Sequence, residues 1–237
     1  RRRTDMPVTT SPWWHTYMTA AGPTDQEHAS GPMTRIGGPR PLDVLTIGRV
    51  GIDLYPDRDG VTVDRVESFH RSLGGSPTNV AVAAARLGYR AAVITRTGSD
   101  PFAVFVHREL RRLGVDDTFV SEAAGTTTTL AFCELFPPDE FPLYFYRGPI
   151  RPDQSIEPHE LDLAAIAGAR VYWATLSGLS RDPSRRAHHA AWEARARQGF
   201  TILDLDYRPG FWESSEQARA EGRAALEQVT VVIGNLA

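Results

Sequence analysis

The 237-residue sequence predicts a doubly wound, mostly parallel α/β sheet that carries a small β lid. From Leu42 onward, short apolar runs alternate with amphipathic helical segments, the pattern of parallel strands covered on both faces. Glycines stand where those segments stop, at Gly48, Gly88 and Gly114. The rhythm breaks twice, around 55–70 and 126–147, into β-rich rather than helical sequence. Short strands inserted into such a sheet form a flap over the crevice at its C-terminal edge.

Residues 1–40 mix Pro, Gly, Thr and isolated aromatics such as Trp13 and Trp14 with no helical or strand period, and are expected to be a disordered extension. Leu42–Ile47 is apolar and ends at Gly48, as a buried strand does. Val61–Phe69 alternates and predicts a half-exposed strand. Pro77–Leu87 is Ala-rich, opens on proline and is predicted helical. Ala91–Thr95 follows as a strand and Pro101–Leu113 as a helix. Thr126–Leu135 and Pro142–Tyr146 flank the turn-forming Pro137-Pro138-Asp139-Glu140 and predict a hairpin. The βα rhythm then resumes with strand Arg170–Ala174, helix Pro183–Arg197, strand Phe200–Asp204, a helix around Glu213–Leu226 and strand Val229–Ile233. A doubly wound sheet that stops there is expected to lack its C-terminal part.

Composition excludes several chemistries. All 26 Lys and Arg residues are arginines. Without lysine there is no P-loop NTPase, no protein kinase of the kind that uses a lysine on its third strand, and no Schiff-base chemistry. A net charge of −3 argues against a dedicated nucleic-acid or anionic-membrane binder. No apolar run is long enough for a membrane helix. The single Cys133 excludes an intrachain disulfide and a Cys-cluster zinc site, and a reducing, cytoplasmic setting is expected. Cys133 itself reads as a buried strand residue. The adjacent His188 and His189, on an Arg-rich helix, read as solvated surface, since a metal pair prefers i,i+4 spacing. No metal site is expected from the chain's own His, Cys, Asp and Glu residues.

The strongest local pattern is Gly74-Gly75-Ser76-Pro77-Thr78-Asn79, which opens the Ala-rich helix. Paired glycines allow close backbone approach, and exposed amides at a helix start attract ligand oxygens. Asn79 can both donate to and accept from hydroxyls. Asp53, in Gly48-Arg49-Val50-Gly51-Ile52-Asp53, is expected at the end of the first strand, where a carboxylate can grip two vicinal hydroxyls.

Gly74, Gly75, Asn79 and Ala81, then Gly88 and Gly98, resemble the first signature of the PfkB (ribokinase-like) carbohydrate kinases at every fixed position. Asp204-Leu205-Asp206-Tyr207-Arg208-Pro209 with Phe211-Trp212 is similar to the D-x-N-x-R-x-x-L-W segment of the family's ketogluconate and fructose kinases, with Asp206 in place of Asn. The stretches Ile94–Gly98 and Phe132–Arg147 look like those of its sugar-acid kinases. The resemblance runs from Leu42 to Asn235. It implies ATP and Mg²⁺ as cofactors, a small sugar acid such as 5-dehydro-2-deoxygluconate as substrate, and a homodimer formed through the lid strands. Asp53, Gly74, Gly75 and Asn79 would then hold the sugar, and Arg147 its carboxylate. Arg208 would stand beside the transferred phosphate, although an ion pair with Asp204 or Asp206 competes for it. Asn235 matches the first residue of N-x-x-E, which organises Mg²⁺ and phosphate. The family's G-x-G-D base loop does not occur in the 237 residues, so the sequence is expected to encode the sugar-binding half and lid of a kinase. Kinases of fructose, 2-keto-3-deoxygluconate or a nucleoside, and a non-catalytic sugar-binding remnant, stay open as alternatives.

Overall fold

The structure, a computed structural model, describes residues 41–234. The expected N-terminal extension and Asn235 lie outside the described residues. The strands are β1 (Val44–Ile47), β2 (Gly51–Pro56), β3 (Phe69–Gly74), β4 (Ala91–Gly98), β5 (Val115–Asp116), β6 (Val120–Ala123), β7 (Leu130–Cys133), β8 (Leu143–Tyr146), β9 (Val171–Thr175), β10 (Phe200–Asp204) and β11 (Val231–Ile233). The helices are α1 (Ser76–Arg86), α2 (Pro101–Arg112), α3 (Leu163–Gly168), α4 (Ser184–Arg195) and α5 (Ser215–Leu226).

The main sheet runs β11-β10-β9-β1-β4-β5, with β6 also paired to β4, and every pairing in it is parallel. Strands buried on both faces need apolar residues at consecutive positions. On β4, Ala92 and Ile94 enter one core with Leu45, Ile47, Tyr172 and Trp192, while Ala91 and Val93 enter the other with Ala81, Phe105 and Leu110. Helix starts follow local capping chemistry. The Asp100 carboxylate accepts from the Phe102 and Ala103 amides ahead of α2, and Ser214 accepts from the Gln217 amide ahead of α5.

A second sheet, β3-β2-β7-β8, forms the lid. Its β7–β8 pair is the expected antiparallel hairpin, although β7 spans only Leu130–Cys133 of the predicted Thr126–Leu135. The predicted strand Val61–Phe69 is corrected. Val63–Arg65 is a single 3₁₀ turn, and pairing begins only at Phe69, opposite Pro56. Alternation alone did not supply a partner strand. The 57–68 loop is instead tied down by the Val63 amide donating to the Glu134 carboxylate at 2.7 Å and the Gly60 amide donating to the Leu135 carbonyl at 2.7 Å. The short elements β2, β5, β6 and α3 were not predicted.

Candidate active site

Asp53 lies not at the end of β1 but in β2, on the lid, because Gly48 turns the chain out of the main sheet. Register then decides which side chains share its face. Asp53 is opposite Ser72 on β3 and Ala131 on β7, and Ala131 is opposite Phe145 on β8. Asp53 and Phe145 therefore project from the same side of the lid sheet. Tyr144 and Tyr146 project from the other side, where Tyr146 is 60% exposed.

The Gly74-Gly75 pair is required by two close approaches. A Cβ at Gly74 would fall on the Asp53 carboxylate, and one at Gly75 on the Arg49 carbonyl. Gly75 also has φ +106, which only glycine adopts without strain. The carboxylate is thus pressed against the turn that starts α1, and burial pushes its pKa up, partly offset by the nearby Arg49 charge. Four residues on, Asn79 is anchored by its amide donating to the Gly75 carbonyl at 2.9 Å, and it is exposed on α1. The Thr78 hydroxyl donates to the Arg49 carbonyl at 3.1 Å, and the Ser76 hydroxyl donates to Asp204 Oδ2 at 3.2 Å. These bonds bring the start of α1 to the C-terminal ends of β1 and β10, the edge where open α/β sheets bind ligands.

Arg147 is not an exposed lid residue. Its side chain is 6% exposed, and Nη2 donates to both Asp153 oxygens, at 3.1 and 3.2 Å. Its Nε and Nη1 are buried without a partner among the described residues. The guanidinium lies 4.6 Å from the Phe211 ring centre and 5.9 Å from that of Phe145, and the two rings meet edge to face at 5.9 Å. Desolvation lowers the Arg147 pKa, against the stabilising Asp153 charge. This aromatic pair ties β8 of the lid to the loop after β10. Arg208, at the head of that loop, is 52% exposed, and its Nε contacts Asp206 Oδ1 at 2.9 Å. The ion pair that competed with a phosphate role is therefore formed. Asp204 next to it is raised by burial.

A continuous series of contacts links the expected site residues: Asp53 to Gly74, Gly75 to Asn79 and Arg49, Arg49 to Phe145, Phe145 to Phe211, and Phe211 to Arg147. Arg208 closes the series through its carbonyl, which accepts from the Phe211 amide at 3.0 Å. Arg49, Phe145 and Phe211 were not singled out as site residues. The available signal for Arg49 was its place just after the glycine that ends β1, on the ligand-binding edge.

Two histidine expectations are corrected. His188 is fully buried: its Nδ1 donates to the Ser184 carbonyl at 2.8 Å, and its ring fills the space over Gly178, where a Cβ could not fit. His189 is half-buried and accepts from Gln228 Nε2 at 2.8 Å. Cys133 is a buried strand residue as expected, its thiol pushed up to about 12 mainly by desolvation. Among the described residues no group of three His, Cys, Asp or Glu side chains gathers to hold a metal ion. No helix among them is long and apolar enough to cross a membrane.

Comparison with known proteins bears on the family and the fold. The family model described as pfkB family carbohydrate kinase matches residues 42–237. The chain is 33% identical over 197 residues to 5-dehydro-2-deoxygluconokinase of Geobacillus kaustophilus (strain HTA426), covering 82% of this chain and 58% of the relative. It is 33% identical over 190 residues to probable fructokinase-3 of Arabidopsis thaliana, covering 80% and 55%. Its fold is similar to that of 2-dehydro-3-deoxygluconokinase from Thermotoga maritima, with TM-score 0.74 and 23% identity over 82% of this chain and 60% of that one. An uncharacterized sugar kinase from Pyrococcus horikoshii, solved in complex with ATP, aligns with TM-score 0.72 and 22% identity over 80% and 62%. The chain spans about three fifths of the length of these relatives. With a signature glycine pair whose spatial need is visible and a family match over residues 42–237, the chain belongs to the pfkB family of carbohydrate kinases.

Proposed function

We propose that this chain forms the sugar-binding half and lid of an ATP-dependent cytoplasmic kinase whose substrate is a six-carbon keto sugar acid, 5-dehydro-2-deoxygluconate of myo-inositol catabolism. The observation that carries this reading is Arg147, a buried guanidinium with two nitrogens that lack acceptors among the described residues, on the same lid as a carboxylate that faces the glycine turn. Asp53 accepts from two sugar hydroxyls, and Asn79 donates to or accepts from a third. Gly74 and Gly75 serve the sugar by leaving room for the Asp53 carboxylate and the Arg49 carbonyl beside the turn, and Arg147 takes the carboxylate of the substrate. Phe145 and Phe211 exclude water around that charge, which strengthens the contact.

Mg·ATP supplies the phosphoryl group when bound to the intact enzyme. Arg208 and Asn235 are the residues of this chain proposed to face it, Arg208 after release from Asp206. The Arg147→Ala variant should weaken sugar-acid binding at least tenfold, a loss of about 1.4 kcal/mol or more, and leave fructose binding unchanged by titration calorimetry. Equal loss for both sugars would reject the carboxylate role. The purified 237-residue chain should show no ATP-dependent turnover of the sugar acid in a coupled ADP assay, since its sequence holds no G-x-G-D base.

A fructose kinase is the second reading, supported by the equal identity to the plant relative. In the intact enzyme a homodimer is proposed through the outer lid face, where Tyr144 and Tyr146 are exposed.

A further inference from the structure

Arg49 carries a charge that no carboxylate among the described residues closes on as an ion pair, although the Asp53 charge lies within reach. Its Nη1 is buried without a hydrogen-bond partner, and no ion pair to it forms among the described residues. The backbone of Arg49 is fixed: its carbonyl accepts from Thr78 and abuts Gly75, so the side chain extends from the α1 turn toward the lid. There its guanidinium lies 5.0 Å from the Phe145 ring centre, the same ring that Arg147 approaches at 5.9 Å. Arg151 joins this group at 5.6 Å from Phe211, but its Nη1 donates to Gln154 at 3.3 Å. Asp153 satisfies only Nη2 of Arg147. Two guanidinium groups thus hold three buried nitrogens, Arg49 Nη1 and Arg147 Nε and Nη1, with no acceptor among the described residues.

Leaving charged donors buried and unpaired costs several times what a satisfied hydrogen bond contributes, and a ligand that completes them is one way a native structure offsets that cost. Asp53 is near enough for its charge to be felt by Arg49, yet it forms no ion pair with it. A closed Arg49–Asp53 pair would use up the oxygens needed for hydroxyls.

Resting on the reading of this site as a sugar-acid pocket, we infer that Arg49 is a second specificity-determining cation. It donates with Arg147 to the carboxylate of the substrate, and the two together set the preference for an anionic over a neutral sugar. A planar carboxylate has two oxygens and about four lone-pair sites, which match donors arriving from two guanidinium planes packed on one ring.

The test is titration calorimetry on the 237-residue chain and its Arg49→Gln and Arg49→Lys variants, each with 5-dehydro-2-deoxygluconate, fructose and inorganic phosphate. The expected result is a tenfold or greater loss of sugar-acid affinity in Arg49→Gln, fructose affinity within twofold of the parent, and partial recovery in Arg49→Lys. Should Arg49→Gln fail to fold by circular dichroism, a loss of at least threefold in Arg49→Lys for the acid alone carries the assignment. Unchanged acid binding in both variants, or equal loss of acid and fructose, overturns the role of Arg49 and leaves the sugar reading standing. Phosphate binding as tight as the acid, and equally lost on substitution, overturns the carboxylate assignment. A parent chain that binds neither sugar overturns both readings.

Discussion

A methyl group at Gly74 would meet the Asp53 carboxylate, so Gly74→Ala is expected to act on recognition more than on the fold. Displacing that carboxylate should cost at least tenfold in sugar affinity by calorimetry. Gly75→Ala should instead lower stability by about 2 kcal/mol in a urea titration, because its φ of +106 and the abutting Arg49 carbonyl both resist a side chain. His188 gives a pH dependence. Burial lowers its pKa from 6.5 to about 4, with the Ser184 bond and Asp153 opposing and His189 adding to the fall. The unfolded chain takes up this proton below about pH 6.5 and the folded chain only near 4, so stability is lost as pH falls between them. The loss amounts to about 3 kcal/mol. His188→Leu should flatten the melting temperature over that range, and a parallel decline in the variant would refute the assignment. The glycine pair and Asp53 were legible because their spacing is a signature. His188 was not, since two adjacent residues on an Arg-rich helix look alike until Gly178 shows which one has room.

Among the elements, α4 shows how a buried cation organises a strand junction. Arg195, 2% exposed in the last turn, donates to the carbonyls of Ile166, Ala169 and Gln198 and to the Thr201 hydroxyl at 2.7 to 2.8 Å. It thereby joins the end of α3 to the start of β10. Arg195→Met keeps much of the volume but strands three carbonyls, and should cost about 3 kcal/mol or more in chemical denaturation. A change below 1 kcal/mol would mean that water replaces the guanidinium. Helices α1 and α2 were legible from proline starts and glycine stops, and the buried strands from their apolar runs. β2, β5 and β6 were not, since two to six residues of mixed polarity become strands only when a partner supplies the ladder. The same reason undid Val61–Phe69, whose alternation met no neighbour.

For the molecule as a whole, the sheet presents an open margin at β11, which among the described residues pairs only with β10. Val232 is 40% exposed there and Ile233 43%. Such an apolar edge invites strand addition. Sedimentation velocity should find association that rises with concentration in the micromolar range, and the Val232→Lys, Ile233→Glu double variant should reduce it. An association unchanged by that variant would move the contact elsewhere, the exposed outer lid face being the next to test. The fold class was readable from the alternation of strands and helices, whereas the lid's four-strand register depended on contacts between distant segments.

The order of strands also sets a timetable. β1 lies at the centre of the main sheet, between β4, which follows soon after it, and β9, which arrives only after the whole lid has been made. Because distant pairings must first overcome the entropy of closing the intervening loop, the β1-α1-β4 unit is free to assemble early, with one flank of its central strand still bare. A nascent chain emerging from the ribosome would therefore carry an adhesive apolar ribbon until β9 is synthesised, and this interval is when a chaperone has most to protect.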